Sequence, residues 1–222
     1  MYDPSAPISF DASIGDGLPL RQNWTDSTSL SGSGSLETDI GAPAWFADGL
    51  AGRAIWNVIP SPAAKALAAT QGWRITSVLR VASGDSVTDY FANGSQRYLP
   101  ILSVVEGGDL EVELEGTHLL ASGAAATDYH THEVRYDPTT GLATYSFDGT
   151  QIETRAGSAM LQNQISFGQG SSGTAGSAYD PSVHFELLSM AAVPTLFPVG
   201  MIAVLLLIAV MAMMRVSAIT RS

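Results

Sequence analysis

The sequence predicts an all-β protein, a two-sheet antiparallel sandwich of jelly-roll type, followed by one C-terminal transmembrane helix. Three observations carry this prediction. Several segments alternate apolar and polar residues with period two, Asp-Pro and Asp-Gly turns punctuate them, and an uncharged run of 18 residues lies near the end of the chain. The expected organisation is a sandwich over residues 1–190 (1–43 partly irregular), a linker over 191–196, the span over 197–214 and a short basic tail over 215–222.

Trp73–Val81 places Ile75, Ser77, Leu79 and Val81 on one face and Arg74, Thr76, Val78 and Arg80 on the other. Leu110–Leu114 sets Leu110, Val112 and Leu114 against Glu111, Glu113 and Glu115. His130–Tyr136 and Leu142–Phe147 are joined by Asp137-Pro138-Thr139-Thr140-Gly141, where Pro suits the second turn position and Gly takes a positive φ. Asp148-Gly149 marks a second tight turn. Gln164–Phe167 and Ser182–Ser189 are expected to close the sheets. Pro62–Thr70 alone has helical propensity, and Ser29–Ser35 and Gly168–Ala178 are expected as flexible loops by composition. A body of this length buries about 70% of its unfolded surface, enough for one core without staples.

The run Phe197–Met214 has no charge and no polar face, and as a helix it spans roughly 27 Å, close to the ~30 Å hydrocarbon core. Phe197, Gly200, Leu205, Leu206, Leu207 and Met214 are its membrane-facing candidates, with Arg215 at its end. Arg215 and Arg221 follow the span and no base lies within twenty residues before it, so the positive-inside rule puts the tail in the cytoplasm and the body in the periplasm or outside the cell. The opening MYDPSAPISF has no basic or apolar leader region, which leaves three readings: a start upstream, a removed leader, or a tail-anchored protein.

Composition excludes several classes of function. No cysteine means no disulfide framework, no thiol nucleophile and no Cys-ligated metal. Acids outnumber bases 21 to 10, and Lys65 is the only lysine. Such a surface repels phosphate backbones, excludes general nucleic-acid binding, and favours neutral or cationic partners over anionic polysaccharides. No Gly-rich phosphate loop and no nucleophile elbow are present.

Gly72-Trp73-Arg74-Ile75 with Leu79-Arg80-Val81, then Asp128–Pro138, Thr140-Gly141, Ala143, Tyr145 and Phe147-Asp148-Gly149, occur in a fixed order. Ile165–Gly168 and Val183-His184-Phe185 complete the series. This order resembles concanavalin A-like jelly rolls, especially laminin G-like and sialidase-associated lectin modules, from about Ala44 to Leu188. The resemblance implies a two-sheet sandwich that binds glycans or proteins and sometimes holds calcium. Val193-Pro194-Thr195-Leu196, the apolar span and Arg215 resemble the PEP-CTERM-like sorting anchors of exported Gram-negative proteins.

Four groups of residues are candidates for chemistry. Glu111, Glu113 and Glu115 are expected on one strand face, neighbours about 6.5–7 Å apart, where Glu111 and Glu115 would flank a glycosidic bond as acid and nucleophile. Apolar-in, polar-out alternation explains the same row unaided as a solvated strand face that discourages edge pairing. His130 and His132 share a face and suit zinc with His118 or His184, or else pack as aromatic rings. Asp85, Asp89, Asp128 and Asp180 lie in candidate loops and offer oxygen ligands for calcium, although Asp also favours turns. Among the aromatics, Trp56 and Trp73 read as core, while Trp45, Phe46, Tyr90 and Phe91 lie nearer loops and are the candidates for stacking a ligand.

The expectation is a non-catalytic, membrane-anchored, lectin-like module that recognises a glycan or a protein. Two alternatives stand beside it: an accessory subunit of a membrane complex, and a glycosidase using the glutamate strand.

Overall fold

The protein is described by a computed structural model over residues 8–28, 32–49, 52–84, 90–170 and 175–188. Among the described residues, seventeen strands and one α-helix follow in chain order, with short 3-10 helices at Pro19–Gln22 and Gly123–Thr127. The first half holds β1 (Ile8–Asp11), β2 (Thr25–Asp26), β3 (Ser33–Asp39), β4 (Ala42–Asp48), β5 (Ala54–Val58), α1 (Pro62–Gln71), β6 (Trp73–Gly84), β7 (Tyr90–Asn93), β8 (Gln96–Tyr98) and β9 (Ile101–Val104). The second half holds β10 (Leu110–Glu113), β11 (Thr117–Ala121), β12 (His130–Asp137), β13 (Leu142–Phe147), β14 (Thr150–Arg155), β15 (Ser158–Ala159), β16 (Asn163–Gln169) and β17 (Gly176–Leu187).

Alternation decides which way each strand faces. In β6 the residues Trp73, Ile75, Ser77, Leu79 and Val81 are buried and the intervening ones are half-buried, as the period of two requires. β6 and β17, twelve residues each, form the centre of an antiparallel eight-stranded sheet ordered β14-β13-β12-β6-β17-β4-β3, with β1 also paired to β17. The opposing layer is divided into a six-stranded sheet, β15-β8-β7-β16-β5-β2, and a three-stranded sheet, β11-β10-β9. The expected two-sheet sandwich is therefore present with its second sheet in two pieces.

Aromatic rings join the layers. Phe10 stacks on Phe167 at 4.9 Å, Trp45 meets Trp56 edge-on at 5.4 Å, and Trp73 meets Phe91 edge-on at 5.0 Å. Each pair takes one ring from the large sheet and one from the six-stranded sheet, in the offset or edge geometry that ring quadrupoles favour. Leu102, Leu110 and Val112 of the three-stranded sheet belong to the same buried cluster.

The hairpin over Asp137–Gly141 forms as expected, with Gly141 at φ 73° and its N–H bonded to the Asp137 carbonyl at 2.9 Å. The expected helix forms as α1, where the Ser61 hydroxyl accepts the Ala64 N–H and Pro62 takes the first turn. Gly72 ends it at φ 84°, where a Cβ would stand 2.6 Å from the Tyr136 carbonyl oxygen. The two expected loops are shorter than composition implied. β3 begins at Ser33, β16 runs to Gln169, and β17 begins at Gly176, because ladder pairing orders small polar residues that have little propensity of their own.

Among the described residues no helix is long and apolar enough to cross a membrane. The predicted span 197–214, with Phe197, Gly200, Leu205, Leu206, Leu207 and Met214, lies outside the described residues, as does Arg215.

Candidate functional site

The sandwich opens into a recess where α1 crosses the strand ends. Its wall is the helix face of Lys65, Ala68 and Ala69, its rim is the Asn93-Gly94-Ser95 turn between β7 and β8, and its floor is Trp73, Phe91 and Tyr136. The recess holds about 200 Å³, against about 10 Å³ for a second one beside Glu153 and Arg155, and is smaller than the roughly 300–1,000 Å³ of sites for drug-sized ligands.

Each wall follows from local sequence. Trp73 opens β6 directly after the Gly72 turn and stands opposite Tyr136 in register, and the two rings stack at 5.7 Å. Tyr98 and Phe91 close around Trp73 at 5.3 and 5.0 Å. The rim is held before any ligand arrives. The Asn93 side-chain oxygen accepts the N–H groups of Ser95 and Gln96 and the Ser95 hydroxyl, at 2.9–3.0 Å, while Gly94 N–H bonds to the Gln162 carbonyl. Lys65 leans over this turn, and a Cβ on Gly94 would lie 2.6 Å from its Nζ. Its ammonium has no carboxylate partner among the described residues. The recess is thus lined by an ammonium, amide and hydroxyl groups and the half-buried Tyr136, beneath which Trp73 and Phe91 are each 1% exposed.

Of the candidate site residues singled out from the sequence, Phe91 lines this recess and the others do not. Trp45 on β4 and Tyr90 on β7 are 7% exposed, and Phe91 is 1% exposed. All three lie in strands and are buried, Trp45 and Phe91 against the opposing layer and Tyr90 in a separate cluster with Ile55 and Ala92, so the expectation that they sit near the surface is corrected; Phe91 nonetheless lines the recess. Phe46 alone is half-buried on the outer face, 4.7 Å from Tyr179. There the Arg80 guanidinium lies 4.6 Å from the Tyr179 ring centre and donates two bonds to Asp39, at 2.8 and 2.6 Å. Those bonds hold the Asp39 carboxyl below the usual carboxylate range, and Tyr129 donates to it as well, at 2.7 Å.

Glu111 and Glu113 are on β10, but that strand ends at Glu113, and Glu115 lies in the turn to β11, where its N–H bonds to the Glu153 carboxylate. The expected row of three on one strand is corrected by this tight turn. His130 and His132 do share a face, and it is the buried one. His130 places its two ring nitrogens 2.7 Å from Asp148 Oδ2 and from the Ala125 carbonyl oxygen. Burial holds His132 down at about 3, and its Nδ1 lies 2.7 Å from the Tyr145 hydroxyl. His118 pairs instead with Glu153, and His184 lies on the outer face near Glu186, so the four do not converge. Asp128 is exposed and Asp180 is fully buried on β17, while Asp85 and Asp89 lie outside the described residues. Among the described residues no three potential metal ligands cluster.

Sequence reading did not single out Asn93, Ser95 or Tyr136. Asn93-Gly94 was the available signal for the rim, since that pair favours tight hairpins. Lys65 was visible as the only lysine, but nothing local placed it over aromatic rings.

Residues 38–190 match the family described as the lectin insertion of Vibrio cholerae sialidase. The chain belongs to this family. Sialidases of two Vibrio cholerae serotype O1 strains are each 39% identical to it over 191 residues. That alignment takes in 84% of this chain and 24% of the enzyme, so the chain spans about a quarter of the curated relatives it matches. Among solved structures, a carbohydrate esterase of the Shiga toxin-encoding bacteriophage phi24B superposes with a TM-score of 0.57 at 16% identity, over 82% of this chain and 98% of that one. A protein of unknown function from Shewanella oneidensis MR-1 superposes with a TM-score of 0.52 at 11% identity, over 84% and 87%. At these identities the two structures share the sandwich fold with the lectin insertion, and the likeness extends no further.

Proposed function

We propose that this lectin insertion is a non-catalytic carbohydrate-binding module and that the Lys65 recess holds one sugar unit. The observation that carries the reading is an ammonium with no carboxylate partner among the described residues and a fixed Asn-Gly-Ser turn, both beside the half-buried Tyr136 ring. A sugar ring would lay its C–H face on the accessible part of Tyr136 and offer hydroxyls to the polar rim, and Lys65 suits a carboxylate on that sugar. The curated relatives are sialidases, which makes sialylated glycans the first ligands to test. A net charge of −11 disfavours long anionic polymers without opposing one local carboxylate beside Lys65.

The test is a glycan panel of sialylated, uronic-acid and neutral members, read by titration with the full chain in mild detergent. Lys65→Ala is expected to weaken binding of acidic members about tenfold or more, the worth of a charge-assisted hydrogen bond. Silence across the panel removes the carbohydrate reading. Binding that is indifferent to Lys65→Ala keeps the module and removes this recess as its site. The anchor stays in the proposal on the strength of the 18 uncharged residues of 197–214 alone. Retention of the chain in the membrane pellet after carbonate extraction would support it, and release into the supernatant would remove it.

A further inference from the structure

A sheet edge is a row of unpaired N–H and C=O groups, and proteins blunt such edges with short strands, proline, lysine, bulges or covering segments. Most edges of this fold are blunted in that way. β2 and β15 are two residues long, and β9 directly follows Pro100. β11 and β14 carry register shifts in their ladders, and Glu153 of β14 is bonded to His118 of β11 and to the Glu115 N–H beside it. β3 differs. It is seven residues long, its register with β4 is unbroken from Ser33 to Asp39, and it contains neither proline nor lysine. Among the described residues no backbone group bonds to its outer edge.

Its two carboxylates do not guard it either. Asp39 is drawn onto its own sheet by Arg80 and Tyr129, and Glu37 accepts the Ser35 hydroxyl at 2.8 Å and the Tyr179 hydroxyl at 3.4 Å. On the opposite face of the strand, Leu36 is left 38% exposed. We infer that β3 is the docking edge for a second copy of this chain, paired antiparallel about a two-fold axis at Leu36.

That register sets Leu36 against Leu36, Ser35 against Glu37 and Ser33 against Asp39, so every acid faces a serine and all seven positions pair. Moving the axis to Glu37 sets Glu37 against itself, and moving it to Thr38 sets Glu37 against Asp39; like charges facing each other disfavour both. Moving it to Ser35 loses the leucine pair. The copy is thus specified by the charge pattern of the strand itself. Two carbohydrate recesses in one assembly would then bind a multivalent surface with avidity, although the pairing stands whether or not the recess binds sugar.

The chain has no cysteine, so single-cysteine cross-linking of the full chain in mild detergent is clean. Leu36→Cys is expected to give a reducible dimer under mild oxidation, and Leu161→Cys, at a position 91% exposed, is not. Ser35→Glu, on an exposed position, places two glutamate pairs across the axis and is expected to weaken dimerisation in sedimentation by roughly two- to thirty-fold, while Ser35→Lys strengthens it. Equal cross-linking at positions 36 and 161, a monomer throughout, or a dimer indifferent to both Ser35 variants overturns the inference; the last outcome would assign association to another part of the chain.

Discussion

His132 shows what one buried side chain does to the stability of the whole. Its ring sits 5.4 Å from Phe147 and 6.2 Å from Tyr145, and burial, with the nearby His130 as a second cause, lowers it from 6.5 to about 3. Below pH 6.5 the unfolded chain takes up a proton that the folded chain refuses until about pH 3. Stability therefore falls with pH across that window, by up to ~1.4 kcal/mol per unit. His132→Phe keeps a ring in place and cannot titrate, so its melting temperature is expected to fall less than the parent's between pH 7 and pH 4; equal slopes would refute this. Asp39 is the second case. Replacing it by Asn removes the charge from two bonds to the Arg80 guanidinium, whose side chain is 16% exposed, and is expected to lower stability by about 1–2 kcal/mol in urea titration. The sequence placed Arg80 correctly on the face opposite Leu79 and Val81, yet its partner lies 41 residues away and no local pattern names it.

α1 is the element whose ends were most legible. Ser61 and Pro62 mark its start and Gly72 its stop, and each does in space what its chemistry favours. Ser61→Ala is expected to cost about 1 kcal/mol through the lost cap. Gly72→Ala is expected to cost more, at least about 2 kcal/mol, because the new Cβ meets the Tyr136 carbonyl at a positive φ. The order of the two losses by circular dichroism is the check, and a milder effect at Gly72 would contradict the described geometry. β10 teaches the opposite lesson. Its alternation was right for Leu110–Glu113, but the pattern continued in sequence through Glu115 while the strand did not. A pattern of period two carries no mark of where its partner strand turns away.

At the scale of the molecule, the two layers are held by rings that belong to strands distant in sequence. Phe167 touches Phe10 at 4.9 Å and Trp24 at 4.8 Å, and it is fully buried. Phe167→Ala is expected to destabilise by about 3–5 kcal/mol, and tryptophan fluorescence and far-ultraviolet dichroism should still fall in one transition. Separate transitions would mean that the layers fold independently. The all-β class, the hairpin over Asp137–Gly141, the faces of β6 and β12 and the kinship with sialidase-associated lectin modules were all determined by sequence. They rest on interactions a few residues long, or on an ordered series of such motifs. The split of the second sheet, the burial of Trp45, Tyr90 and Phe91, and the meeting of Lys65 with Trp73, Asn93 and Tyr136 were decided only by the tertiary structure. Each depends on which strands become neighbours within a sheet or across the sandwich, and that is fixed by the packing of the whole molecule, not by any single segment.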